Sequence, residues 1–152
     1  MQTSIRRKDR EIPLQEAIDL LERGSYGVLA TAGEDGWPSA TPLSYVYADG
    51  AVCFHCAPEG RKLRDIAAGN RVCFTVVGNV QPVKEFSTKY ESVMMHGTAE
   101  LVGAPEEKIR LLRLIADKYC PGEDASGTIE RGLAKTAVVK ITPVQISGKA
   151  IR

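Results

Sequence analysis

The sequence has no excess of charge of either sign: 20 lysines and arginines stand against 19 aspartates and glutamates in 152 residues. A general nucleic-acid binder carries a clear basic excess, so that role is excluded as the main one. The basic cluster Arg6-Arg7-Lys8 is short and lies beside Asp9 and Glu11, which reads as a solvated N-terminal arm. No apolar run approaches the roughly 20 residues that span a bilayer. The N-terminus also lacks the apolar core of a secretory signal. These absences set the expectation of a cytoplasmic protein with no membrane partner, whose 4 cysteines are reduced thiols. No repeat, low-complexity tract or linker divides the chain, so residues 1–152 are expected to form a single domain. A Gly-rich dinucleotide fingerprint is missing too, and any nicotinamide dinucleotide would bind only transiently.

What is present reads as short strands with peripheral helices. Residues 13–23, PLQEAIDLLER, place Leu14, Ala17, Ile18 and Leu21 on one helical face, between Pro13 and Gly24. YGVLATAG is a strand, Glu34-Asp35-Gly36 a turn, and WPSATPLSYVYADG a second strand made irregular by Pro38 and Pro42. Ala48-Asp49-Gly50 turns into the strand AVCFHCA, and RKLRDIAAG follows as a short helix closed by Gly69-Asn70. RVCFTVVG and ESVMMHGTAELVG are strands, PEEKIRLLRLIADKY a helix with acids in its first turn, and TAVVKITPVQISGKA a last strand. A short helix is expected at TIERGLAK. The pattern predicts an α+β fold, with about six strands joined by tight antiparallel turns into a small barrel or sandwich.

The chemistry concentrates in CFHCAPEGRK, residues 53–62. Cys53-x-x-Cys56 has the spacing of a zinc knuckle, but a knuckle needs a turn where both thiolates converge. Here the pair sits in an alternating strand, where residues three apart face opposite sides. Cys73 and Cys120 are isolated, and His96 is the only other histidine, so no metal set is assigned. The cysteines then read as small buried hydrophobes. Gly60-Arg61-Lys62 has the better case as a phosphate site. A strand ends, a glycine permits close approach, and a planar fork and a point charge open a helix whose N–H groups are free. Cations there oppose the helix dipole, and a bound anion would compensate.

These residues carry a family resemblance. GVLATAGEDGWPSATPLSYVYADGAVCFHCAPEGRKLRDIAAGNRVCFTVVG, followed by STKYESVMMHGTAELV, resembles the pyridoxamine-phosphate-oxidase-like split β-barrel flavoproteins. Within them it is most similar to the nitroimidazole-resistance (Nim-type) branch. The resemblance implies an antiparallel split β-barrel and a homodimer with FMN at the subunit interface. It implies that Gly60, Arg61 and Lys62 hold the FMN phosphate, with His55 and Cys56 beside the ribityl phosphate and flavin. Ala40, Thr41, Pro42, Leu43, Ser44 and Tyr45 match the strand whose backbone borders the flavin ring, and Ser92 stands where the oxidases place a glutamine. The C-terminal VQISGKAIR lacks the arginine-rich pattern by which the oxidases hold pyridoxal phosphate, which argues against vitamin B6 oxidation.

The implied activity is FMN-dependent reduction of a small planar acceptor such as a nitroimidazole, with His55 as catalytic proton donor. Two other readings share these features: a non-catalytic flavin- or haem-binding protein with His55 or His96 as an axial ligand, and a reductase using deazaflavin F420. His96 reads as structural. Trp37 is placed to cap the barrel or a partner subunit. Tyr45 and Tyr47 share one strand face, which suits either a dimer seam or core packing.

Overall fold

A computed structural model describes residues 4–84 and 86–152. After a 3-10 turn at Lys8–Arg10, the helix α1 (Leu14–Arg23) follows Pro13 and buries Ala17, Leu20 and Leu21. Then come β1 (Gly27–Ala32), β2 (Pro38–Leu43), β3 (Val46–Ala48) and β4 (Ala51–Cys56). Asp49 and Gly50 join β3 to β4 with φ of 52° and 74°, the left-handed pair that a two-residue hairpin needs. Next are α2 (Arg61–Ala68), the long hairpin strands β5 (Arg71–Val83) and β6 (Ser87–Leu101), α3 (Pro105–Tyr119), α4 (Ser126–Gly132) and β7 (Ala137–Ile151). Among the described residues no helix is long and apolar enough to cross a membrane.

All strand pairs are antiparallel, in the order β2-β1-β5-β6-β7-β4-β3. β2 and β3 are therefore the two edges of the sheet, yet only Ser44 and Tyr45 separate them in the chain. Seven strands laid flat would put the edges about 29 Å apart at ordinary strand spacing. The link from Leu43 to Val46 spans at most about 11 Å. The sheet must curl until its edges nearly meet, and the result is a split barrel. One expectation changes here. WPSATPLSYVYADG is two strands on opposite edges, which raises the count from about six to seven.

The curled sheet wraps α1. Leu20 and Leu21 pack with Leu29, Phe54, Phe74 and Met95 in one cluster. A second cluster packs Leu111 and Ile115 of α3 against Ala51, Cys53 and Val138. β4 is thus buried on both faces, Val52 and Phe54 inward and Ala51 and Cys53 toward α3. The outer faces of β5 and β6 keep exposed apolar side chains, with Val77 at 52% and Met94 at 44%.

Two sets of contacts fix the ends of this arrangement. Arg6, Arg7 and Lys8 are exposed, as the sequence suggested, and the chain docks just after them: the Ile12 N–H donates to the Gly148 carbonyl at 3.0 Å, and Glu11 bridges to Lys149. A Cβ on Gly148 would lie 2.8 Å from both the Ala17 Cβ and Ile12 Cγ1, so only glycine admits this approach. At the β2–β3 link, the fully buried Tyr45 donates its hydroxyl to the Leu21 carbonyl at 2.6 Å and meets Phe74 edge-on at 4.8 Å. The Tyr45 N–H donates to the Tyr119 hydroxyl at 2.9 Å, which in turn donates to the Ser25 carbonyl at 2.7 Å. Of the two roles considered for Tyr45, core packing is the one observed.

Tyr119→Phe removes that hydroxyl and leaves a part-buried N–H and a carbonyl unpaired, so it should lower stability by about 1–3 kcal/mol. Urea unfolding followed by fluorescence measures this, and an unchanged midpoint would show that the hydroxyl does not hold the corner.

Candidate functional site

β4 carries the first half of the site. Alternation aims Phe54 into the barrel and His55 outward, beyond the part of the strand that α3 covers. There His55 and Ser44 border a cavity of about 450 Å³, walled by Leu112, Ile115, Ala116 and Tyr119 of α3 and by Cys120, Ala125, Thr128, Ile129, Gly132 and Thr136 beyond it. No Asp, Glu, Lys or Arg lines it, so its occupant is expected to be neutral and largely apolar.

The second half begins five residues on. Gly60 enters α2 with φ 140° and ψ 174°, a conformation essentially reserved for glycine. No side chain caps the helix, so its first N–H groups remain available. α2 is fixed to β1 by a buried bond, Thr31 Oγ1 donating to Asp65 at 2.7 Å. Arg61 reaches across the adjoining turn: Nη2 lies 3.1 Å from both Asp35 Oδ1 and the Trp37 carbonyl, and Nε lies 3.6 Å from Asp65. Its guanidinium is therefore largely committed to protein carboxylates. Lys62 is half-buried and makes no ion pair among the described residues. A polar cavity of about 230 Å³ beside them is lined by Glu34, Asp35, Arg61, Arg64 and Asp65.

The third component is the free edge of β2. An edge-strand proline is tolerated where its missing N–H faces away from the ladder. Pro38, Ala40 and Pro42 share that parity, which leaves Ala40 as the one outward N–H donor among them. Thr41 and Leu43 are half-buried, and Ser44 is exposed at the His55 cavity. Tyr45 faces the core, with its backbone N–H already bonded to Tyr119.

The structure thus brings together Ser44 and His55, sets Gly60, Arg61 and Lys62 just downstream, and keeps Ser92 apart. Ser92 is on the outer face of β6, opposite Val77 and Lys149, and lines another cavity. Tyr119, Cys120, Thr128 and Thr136 were not singled out in the sequence, because no local motif marks residues that meet His55 only through the packing of α3. Trp37 is 72% exposed and caps nothing within the chain. His96 is half-buried, and its Nδ1 has no hydrogen-bond partner among the described residues.

All four cysteines are free, and among the described residues no three His, Cys, Asp or Glu side chains converge. Burial pushes the Cys53 thiol up to about 11, so it stays neutral at physiological pH. Burial also raises Cys56, and the charge of Lys62 opposes that shift.

The sequence profile of the pyridoxamine 5'-phosphate oxidase family matches residues 13–150. The chain belongs to that family. Solved structures agree in fold. A candidate 5-nitroimidazole antibiotic resistance protein from Bacteroides thetaiotaomicron is 22% identical, with a TM-score of 0.82 over 92% of this chain and 86% of that one. A flavocytochrome from Azotobacter vinelandii is 21% identical, with a TM-score of 0.80 over 98% and 72%. A FAD-binding protein from Mesorhizobium loti is 25% identical, with a TM-score of 0.71 over 94% and 98%. No curated protein matches the chain. For a pyridoxamine 5'-phosphate oxidase family member, the region between β2 and β4, with the start of α2 beside it, combines exposed backbone, a cation and an uncharged cavity.

Iodoacetamide at pH 8 should alkylate the exposed Cys120 in the folded protein and spare Cys53, which reacts only after unfolding or as the pH approaches its raised value of about 11. Peptide mass spectrometry reads both sites, and equal labelling rates at pH 8 would contradict the buried, neutral thiol.

Proposed function

We propose that this chain is an FMN-binding oxidoreductase that reduces a small, planar, neutral acceptor of the nitroaromatic class. The observation that carries the proposal is a juxtaposition. An uncapped, glycine-led helix start bearing an unpaired lysine lies five residues from a histidine on an uncharged cavity. Likeness in fold to a candidate nitroimidazole resistance protein, a flavocytochrome and a FAD-binding protein supports the flavin and nitro parts of this reading.

The residues fit a flavin mononucleotide. Gly60 would let the backbone approach a phosphate, the free N–H groups at the start of α2 would donate to it, and Lys62 would add a charge-assisted bond. Arg61 contributes less than Lys62, because Asp35 and Asp65 already share its charge. Ala40 would offer an edge N–H and a carbonyl to a planar ring, Thr41, Pro42, Leu43 and Ser44 would continue that border, and Cys56, the last residue of β4, would lie beside it. When bound, the flavin supplies electron transfer, and a nicotinamide dinucleotide is the proposed transient donor. His55 holds a proton on imidazole nitrogen at the cavity and delivers it to the reduced acceptor. The neutral walls exclude water and disfavour charged competitors.

A second copy of the chain completes the site in this proposal. The uncovered outer face of β5 and β6, with Val77 and Met94 exposed, is the surface that a twofold partner would bury. The likeness to a flavocytochrome also keeps a second reading in play, in which His55 serves haem as an axial ligand from the same apolar cavity.

Lys62→Ala should weaken FMN binding about tenfold to a hundredfold, and Arg61→Ala by less, with riboflavin nearly indifferent to both. Fluorescence titration decides it: equal losses for FMN and riboflavin would remove the phosphate assignment. His55→Gln should retain FMN and slow reoxidation by a nitroaromatic about a hundredfold or more, with molecular oxygen as the control acceptor. Stopped-flow rates equal to wild type would demote His55 to a structural residue.

A further inference from the structure

The His55 cavity has one polar wall and one apolar wall. Ser44 of the β2–β3 link and His55 of β4 stand on the sheet side. Leu112, Ile115 and Ala116 of α3 and Ile129 of α4 stand on the helical side. Most other polar groups in the lining are already engaged. The Tyr119 hydroxyl donates to the Ser25 carbonyl at 2.7 Å, and the Thr136 hydroxyl donates to the Gly132 carbonyl at 2.8 Å. Thr128 receives a long contact from Arg131 at 3.5 Å, and Cys120 adds only a weak donor. The side chains of Ser44 and His55 make no hydrogen bond among the described residues. Hydrogen-bonding capacity is therefore concentrated at the sheet end of the cavity.

The volume exceeds what a bare ring needs. A nitroaromatic ring of about nine heavy atoms fills at most about 270 Å³, even when each atom is given a water's share of roughly 30 Å³. In a cavity of about 450 Å³ that leaves about 180 Å³, room for about six more heavy atoms. Water is poorly held in this remainder, because an ordered water needs about two to four polar partners and the helical walls offer mostly methyl and methylene groups. An aliphatic chain gains there, at about fourfold in affinity for each methylene buried. An ionised tail loses, because no Asp, Glu, Lys or Arg lines the cavity to pair with it.

We infer that the acceptor of this site is an elongated molecule: a planar ring whose polar group meets Ser44 and His55, with an aliphatic substituent of about four to six carbons packed against α3 and α4. Ser44 orients the head, and Ala116 and Ile129 set the length of the tail. The inference rests on the reading of the His55 cavity as the acceptor site.

Equilibrium dialysis of the full chain against nitrobenzene and its para-ethyl, para-butyl and para-octyl derivatives tests it, with no reductant and so no turnover. Affinity should rise about tenfold or more from para-ethyl to para-butyl and stop rising at para-octyl, whose tail exceeds the room. A butanoate anion bearing a para-nitrophenyl ring at its far carbon should bind no better than nitrobenzene. Ala116→Leu, which keeps a strong helix former on α3, and Ile129→Trp on α4 each fill the helical end. Both should erase the gain with chain length while nitrobenzene still binds. Ser44→Ala should weaken every member of the series by a similar factor, about threefold or more. Equal affinities for nitrobenzene and para-butylnitrobenzene would overturn the inference. So would a chain-length gain that survives both filling substitutions, or binding that Ser44→Ala leaves unchanged. Failure of the flavin reading shows separately, in FMN titration, because the dialysis needs neither cofactor nor electron transfer.

Discussion

The two-residue link Ser44–Tyr45 is the constraint on which the rest of the structure depends. It joins the two edges of a seven-stranded sheet, so the sheet must curl, and curling creates the space that α1 fills. Tyr45 seals the link from inside through its hydroxyl and its ring, and Tyr119 holds its backbone from outside. The same link carries Ser44 to the rim of the His55 cavity, while Tyr119 forms part of the cavity wall. Packing and site are therefore one piece of architecture. The barrel is split where β2 keeps a free edge, and α2 starts beside that split because Thr31 and Asp65 fix the helix to β1.

Electrostatics divide the surface into regions with different tasks. No Asp, Glu, Lys or Arg lines the cavity at His55, the turn around Arg61 is a network of acids and bases, and the cavity under the arm is lined by cations and no carboxylate. A near-neutral total thus conceals a strong local asymmetry. The proposed division of labour follows from it: an apolar acceptor at His55 and a phosphate near Lys62.

Much of this was readable from the sequence, and the exceptions share a cause. α1 and α3 announce themselves by period, flanking proline and a first turn of acids, and Asp49-Gly50 announces a hairpin. The resemblance carried by CFHCAPEGRK and its flanks agrees with the family match over residues 13–150, and the split-barrel fold agrees with it. The break at Ser44–Tyr45 was hidden, because Tyr45 and Tyr47 keep strand alternation across a point where the chain changes edges. The docked arm was hidden because it depends on Gly148, at the other end of the chain from Ile12. Local chemistry marks motifs, and it does not reveal which distant wall a motif will face.

The central claim is that the region between β2 and α2 binds FMN in a twofold assembly. Native mass spectrometry of the purified protein tests it most directly, since one spectrum reports both assembly and the mass of any retained cofactor. The account predicts a dimer of about twice the 16.5 kDa chain mass that releases flavin mononucleotide on denaturation. A monomer that retains the flavin, or a protein that releases haem, a deazaflavin or nothing after incubation with FMN, would contradict it.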